Sequence, residues 1–279
     1  MTLARRRMMK TMSNYFVIRW PLRMNNTYSF GSVINYQKGK IYFKNERMSP
    51  GERIHTWKSK FNYHIRDSEF SQLPLLKRGV KYQVNAKAEV VPGGSVQVQL
   101  DFFDNRDEII DGPLTIDLDG EFVVPEEMDH YQLSLVNLNN RSLEFENLVI
   151  EPSESEFAVA TTSGYMNTTY IWNRQDDFFE DVEVYLRSRL LYSGAYLGKK
   201  NTLRIFVEFD SRANWQAQEL RKEISTTFKS FEKVVRKNKM AFDALSPKTV
   251  LLSPQEERLT AVEKYATIEL SKILHFYRR

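Results

Sequence analysis

The sequence predicts an α+β multidomain protein in which an antiparallel β-sandwich of jelly-roll type precedes a mainly helical C-terminal domain. Two observations predict this fold. Across residues 16–151, short segments that alternate apolar and polar residues are separated by turn residues, as in sandwiches and jelly rolls. After residue 164, apolar residues recur at helical spacing instead. A chain of 279 residues is long enough to bury a core in each half.

The clearest strands form a hairpin. In residues 80–90 and 96–103 every second residue is apolar, which is typical of half-buried antiparallel strands. A turn containing Pro92, Gly93 and Gly94 connects them. Further short strands are predicted at residues 16–20, 28–36, 40–43, 53–58, 114–118, 121–124, 130–138 and 142–150.

The second half begins after a polar stretch at 151–164. Acidic residues early in 176–192 and apolar residues near helical spacing predict a helix there. Residues 203–209 alternate as a strand. Longer helices are predicted over 215–245 and after Pro254, and the apolar stripe of the first is Leu220, Ile224, Phe228, Phe231 and Val235. The predicted organisation is a basic tail at 1–14, a β-sandwich at 15–153 and a mainly helical domain with at least one strand at 165–279.

The charge of the chain is unevenly distributed. The formal net charge is +4, yet residues 101–151 hold fourteen acidic and two basic residues, a balance of −12. Residues 1–23 carry six basic residues and no acid, and residues 212–239 carry eight basic against three acidic residues. These segments are either solvated surfaces or electrostatic docking surfaces for partner proteins. Basic residues without interleaved aromatics or a recognised motif give no indication of a nucleic-acid partner.

The compartment is predicted from what the sequence lacks. Without cysteine, disulfides and thiol chemistry are excluded. The basic start is not followed by the apolar run of a signal peptide, and no stretch has the apolar length of a membrane span. We therefore expect a cytoplasmic protein, and peripheral contact with the inner face of the membrane stays open.

Catalytic chemistry is hard to find in this sequence. Its four histidines show no metal-type spacing, and no nucleophile elbow, phosphate-binding loop or dinucleotide fingerprint occurs. The one acidic constellation is Asp101, Asp104, Asp107, Glu108 and Asp111. It is interpreted as a solvated loop, with a partner surface, a calcium site or catalysis as alternatives. The prediction is a protein that is not an enzyme and has no metal or cofactor.

One aromatic segment has the composition of a sugar site. Trp57 and Tyr63 offer flat rings for stacking on a sugar, and Asn62, His64 and Asp104 offer polar groups for its hydroxyls. The alternative is that Trp57 and Tyr63 are packing aromatics of a core.

Four segments in order resemble a known family: MSPGERI at 48–54, WKSKFNY at 57–63, LPLLKRGVKY at 73–82 and LDFFDNR at 100–106. Their order and spacing are similar to the third accessory secretory protein of the accessory Sec export system. Two departures are Asn105, between Asp104 and Arg106, and Val84 in place of a leucine. The resemblance covers about residues 28–151, and residues 155–279 resemble nothing that we know.

The resemblance implies a non-catalytic export component with a domain similar to carbohydrate-binding modules. Its implied partners are the first and second companion accessory secretory proteins, an accessory SecA-type motor ATPase and glycosylated serine-rich-repeat adhesins. The alternative function is a glycan-active enzyme or a stand-alone carbohydrate-binding module. The absence of an evident pair of catalytic carboxylates counts against the enzyme.

Overall fold

A computed structural model describes residues 14–21, 26–60, 71–164, 166–176, 181–187, 193–209, 222, 226 and 248–252. Sixteen strands lie within these residues: β1 Asn14–Ile18, β2 Val33–Gln37, β3 Lys40–Lys44, β4 Arg53–Lys58, β5 Lys81–Val91, β6 Val96–Phe103, β7 Leu114–Ile116, β8 Asp119–Val123, β9 His130–Asn137, β10 Ser142–Pro152, β11 Phe157–Thr162, β12 Met166–Asn173, β13 Asp181–Arg187, β14 Ser193–Leu197, β15 Thr202–Phe209 and β16 Lys248–Leu252.

The first two layers are antiparallel sheets packed face to face. In the seven-stranded sheet, β10 pairs with β5 on one side, and β8 follows β5. On its other side β10 pairs with β3 along its first residues and with β1 along its last, so these two strands lie end to end. The four-stranded sheet has the order β4-β9-β6-β7.

Alternation along the strands builds the core between these sheets. Val96, Val98, Leu100 and Phe102 of β6 all point inward and are at most 3% exposed. Tyr131, Leu133 and Leu135 do the same in β9. Because successive strand residues point to opposite faces, the residues between them form the outer face of the four-stranded sheet.

A third sheet lies on the outer face of the seven-stranded sheet. Its order is β11-β12-β15-β13-β16, and β13 is parallel to both of its neighbours. It packs against β1 and β14 through a second core, formed by Tyr15, Val17, Ile171, Tyr196 and Phe206. β14 comes from the second half of the chain but pairs with β1 in the seven-stranded sheet. The described chain therefore has three β layers, of which the seven-stranded sheet is the middle one.

A buried ion pair connects the middle layer to the third sheet. Arg19 Nη1 lies 3.0 Å from Glu208 Oε2, and both side chains are almost fully buried. The Tyr196 hydroxyl donates to Glu208 Oε1 at 2.6 Å. Burial lowers the pKa of Arg19, but the Glu208 carboxylate and Tyr196 more than offset this, so its pKa is raised. Loss of either group would leave the other as a buried charge without its ion-pair partner.

The prediction of an α+β chain with a mainly helical C-terminal domain is wrong. The predicted helix at 176–192 contains the strand β13, and the polar stretch at 151–164 contains β11. In β13, Val182 and Leu186 are four residues apart, a spacing that suits a helical stripe and also one face of a strand. In the structure this segment pairs with two parallel neighbours, β15 and β16, and is therefore a strand. The apolar stripe predicted at 215–245, the helix after Pro254 and the basic tail lie outside the described residues.

Candidate functional site

The candidate site is the outer face of the four-stranded sheet, where the register aligns polar side chains in rows. Because directly paired residues share a face, one row is Lys58, Gln132 and Asp101, and the next is Thr56, Ser134 and Gln99. Phe103 and His130 form a further row, and Arg53 lies at the opposite end beside Val136 and Gln97.

Asp101 contacts two polar side chains of this face, Gln99 and Arg53. It is 1% exposed, and Gln99 Nε2 donates to its Oδ1 at 2.8 Å. Arg53 Nη2 lies 2.7 Å from its Oδ2. Arg53 belongs to a row two steps away, so its side chain must extend along the face to reach Asp101. We attribute the burial of Ser134 and Thr56, which bond to each other at 2.9 Å, to this cover.

The rings of Phe103 and His130 stack on each other at one end of the face. Their rings are nearly parallel, at 6°, with centroids 4.9 Å apart. Asp129 Oδ2 lies 3.2 Å from His130 Nδ1, and Asp107 Oδ1 lies 3.4 Å from Nε2. Lys60 pairs with Asp107 at 2.6 Å. Rings, carboxylates and amides thus adjoin on one surface, which suits recognition of a polar ligand with flat apolar faces.

Asp104, a predicted site residue, anchors the neighbouring acidic loop. Its Oδ1 accepts hydrogen bonds from the backbone N–H groups of Arg106 and Glu108, at 2.8 and 2.9 Å. Its own N–H donates to the carbonyl of Glu108 at 3.0 Å. Among the described residues, which include all of 101–111, His, Asp and Glu form no group of three that could hold a metal ion.

Trp57, the leading stacking candidate from sequence, lies in the core of the sandwich. It is fully buried, and its Nε1 donates to the Arg19 carbonyl at 3.0 Å. Its ring contacts Trp20, His55 and Phe145, with centroids 6.0, 4.4 and 5.6 Å away. Neither of its faces is available to a ligand in this position. Asn62, Tyr63 and His64 lie outside the described residues.

A second buried polar group lies beside Trp57. His55 Nδ1 is 2.7 Å from the Thr27 hydroxyl, to which Trp20 Nε1 donates at 3.1 Å. Burial lowers the pKa of His55 to about 3, although a backbone contact with Asn26 acts in the opposite direction. His55 is therefore a neutral core residue at physiological pH.

Sequence reasoning missed Arg53, Gln99 and Gln132 as members of one surface. Each occupies the polar position of an alternating segment, which was visible in the sequence. What the sequence does not give is the pairing of β6 with β9 and of β9 with β4, which places these side chains side by side.

The two stacked antiparallel sheets and their polar face define the first half as a β-sandwich protein with a candidate binding surface. Residues 27–152 match the family model described as "Accessory Sec secretory system ASP3". An accessory Sec system protein of that name from Streptococcus gordonii is 34% identical over 130 residues, which cover 46% of this chain and 81% of the relative. The chain therefore belongs to this accessory Sec family.

Two further comparisons each cover about half of the chain. The protein of that name from Staphylococcus aureus (strain NCTC 8325 / PS 47) is 26% identical over 135 residues, 48% of this chain and 42% of the relative. A crystal structure of accessory secretory protein 1, 2 and 3 in Streptococcus pneumoniae contains a chain with 29% identity and a TM-score of 0.45. The match covers 48% of this chain and 94% of that one. The described residues contain no helix with the length and hydrophobicity needed to cross a bilayer.

Proposed function

We propose that this chain is a non-catalytic component of the accessory Sec export machinery. In this proposal it acts in a complex with the first and second companion accessory secretory proteins and supports export of glycosylated serine-rich-repeat adhesins. The accessory SecA-type motor ATPase is the energy source of the same machinery. The observation that carries the proposal is family membership, which rests on the sandwich half of the chain.

We propose that the protein acts in the cytoplasm and that the complex brings it into peripheral contact with the inner face of the membrane. Fractionation of the native cells tests this directly. The protein should appear with the soluble fraction or with membranes that release it in high salt. Recovery only after detergent extraction would contradict a peripheral association.

Co-expression with the two companion proteins tests the complex. Affinity purification through one companion followed by size exclusion should recover all three chains together at low salt. Contacts that exposed residues of the acidic segment 101–151 make with the companions should weaken as the salt concentration rises, because exposed charges are screened beyond about 8 Å at physiological ionic strength. Elution of this chain as a free monomer at both low and moderate salt would refute the proposal.

A second function, glycan binding on the outer face of the four-stranded sheet, is proposed for the same protein. Its support is the row arrangement of carboxylate, amide and guanidinium groups beside the stacked Phe103 and His130. Such groups donate to and accept from hydroxyls, and aromatic rings beside them can pack against the apolar part of a sugar. Of the residues proposed from sequence, Asp104 lies next to this end of the sheet, and Asn62, Tyr63 and His64 follow β4 in the chain.

Retention on immobilised oligosaccharides tests this second function. Gln132→Ala should abolish retention, and Gln83→Ala, an amide deletion on the seven-stranded sheet, should leave it intact. If both variants are retained equally, the outer face of the four-stranded sheet is not the glycan-binding site. Stability is measured in parallel, so that a loss of folding is not mistaken for a loss of binding.

A further inference from the structure

Strand β2 is the last strand on its side of the seven-stranded sheet within the described part of the chain, where it pairs with β3 alone. A two-residue turn connects the two strands, with φ of 52° at Lys38 and 75° at Gly39. In such a hairpin the closing pair, Gln37 and Lys40, exchanges both hydrogen bonds, and every second pair does the same. The N–H and C=O of Ile34 therefore point away from β3, towards the edge of the sheet.

In the part of the chain that the structure describes, this edge lacks the features that usually protect a terminal strand. Edge strands commonly carry charged residues or proline, are very short, or are covered by another segment. β8 carries Asp119 and Glu121, and β7 has only three residues. β4 is covered by residues 26–28, whose backbone bonds to Ile54 and Thr56. In contrast, residues 28–37 include no charged residue and no proline.

An exposed aromatic residue is held rigidly at the start of this edge. Phe30 is 83% exposed and occupies a tight turn, in which the Ser32 N–H donates to the Ser29 carbonyl at 3.1 Å. Gly31 supplies the positive φ of 68° that this turn requires. The buried Asn45 braces the turn, because its Nδ2 donates to the Phe30 carbonyl and to the Ser32 hydroxyl, each at 2.9 Å. Val33, 57% exposed, follows directly.

We propose that β2 is a docking edge to which a companion accessory secretory protein adds an extended strand. The available backbone groups of Ile34 dictate an extended partner, because only a strand matches their direction and spacing. Side chains of the added strand that point towards the core would meet Ile34 and Tyr28, which are partly buried beside it. The partner segment should therefore be apolar at every second position, with Phe30 as the anchor residue at one end.

The inference rests on the proposed complex and is tested within it. The two variants are Phe30→Ser and its matched control Leu75→Ser, which removes a residue that is 80% exposed. Leu75 lies near the start of β5, beside the Pro74 carbonyl that accepts from Tyr131. Val33, close to Phe30 in the chain, lies at the other end of the sandwich, because the row of paired residues that contains it ends at Val91, the last residue of β5. The control residue Leu75 is therefore at the opposite end of the sandwich from the docking edge. We expect Phe30→Ser to raise the dissociation constant for the companion proteins roughly tenfold. Leu75→Ser should leave it unchanged.

Hydrogen exchange supplies a readout that does not depend on a substitution. Peptides covering β2 should exchange at least about tenfold more slowly in the complex than in the free chain, because Ile34 N–H gains an acceptor. Equal exchange in both states, or equal effects of the two variants, would overturn the inference while the complex itself stands. If no complex forms, the proposed function fails as well.

Two other occupants of the edge are distinguished by the same variants. If Phe30→Ser abolishes sedimentation of the chain with phosphatidylglycerol vesicles but leaves the complex intact, the patch meets a membrane and the inference fails. If Phe30→Ser converts a homodimer into a monomer, β2 pairs with a second copy, which also overturns it.

Discussion

Replacement of Trp57 by alanine distinguishes a core residue from a sugar-stacking residue. The indole is fully buried between Trp20, His55 and Phe145. Its N–H also donates to the carbonyl of Arg19, the residue directly after β1. The substitution therefore removes both ring packing and a hydrogen bond that connects β4 to the segment following β1.

The structure allows the size of the effect to be worked out. Truncating a buried tryptophan to alanine costs about 3–5 kcal/mol of unfolding free energy. An unsatisfied buried carbonyl adds about 1 kcal/mol or more. A total of about 4–6 kcal/mol is a large share of the 5–15 kcal/mol typical of folded proteins, and corresponds to a fall in Tm of roughly 10–20 °C.

Urea unfolding followed by circular dichroism measures the loss, and retention on immobilised oligosaccharides is measured in parallel. Trp57→Phe is the matched variant, since it keeps an aromatic ring and removes only part of the volume and the N–H donor. It should be less destabilising than the alanine variant. A Trp57→Ala protein with nearly unchanged stability and lost glycan retention would refute the core assignment.

Four further predictions follow from other contacts. Glu208→Ala should cost about 3–5 kcal/mol, because it leaves Arg19 charged and buried without its carboxylate; Glu46→Ala in the exposed Lys44 pair is the control and should barely move the urea midpoint. The lowered pKa of His55, about 3, means that between pH 6.5 and 5 the unfolded chain binds a proton that the folded chain does not. Unfolding free energy should therefore fall with decreasing pH, by up to about 1.4 kcal/mol per pH unit, and an unchanged slope in His55→Gln would argue against this cause. Gly39→Ala places a Cβ 2.8 Å from both Asn167 Oδ1 and the Gly164 carbonyl, whereas Gly51→Ala meets nothing within 4 Å. Both glycines have positive φ, so each alanine variant should lose about 1 kcal/mol of unfolding free energy from backbone strain. Only a larger loss for Gly39→Ala than for Gly51→Ala supports the contact with the third sheet. Finally, the purified chain should neither hydrolyse nor transfer glycosyl groups, and turnover that disappears in Asp104→Ala would show that it is an enzyme.

The sequence predicts strands well where one face is buried and the other is wet. The predicted strand at 96–103 matches β6, and that at 80–90 matches β5 to within one residue, because core and solvent impose opposite chemistry on successive residues. β12 was missed because all eight of its residues are buried, including Asn167 and two threonines, so its two faces do not differ in exposure.

The candidate site was only partly predictable for a related reason. Asp104 was singled out as a ligand contact, and its Oδ1 accepts two hydrogen bonds from the backbone of its own loop, a structural role that the sequence did not indicate. Glu208 occupies a polar position of an alternating strand, so the sequence suggests that it faces solvent. It is in fact buried against Arg19, and this pairing is invisible in the sequence because Arg19 lies 189 positions earlier in the chain. The local sequence pattern shows which residues are polar, but what those residues face depends on contacts with segments that are distant in the chain.

Strand β14 makes the two halves of the chain behave as interlocking fragments. It hydrogen-bonds along all five residues of β1, and Tyr196 and Tyr15 of this pair belong to the second core. A protein shortened to residue 153 would retain every strand of the two sandwich sheets except β14, and would expose the edge of β1 and the apolar side chains of Tyr15 and Val17. A cut made in the folded protein between residues 153 and 193 would instead leave two pieces held together by an intact sheet, as in a complementing split protein.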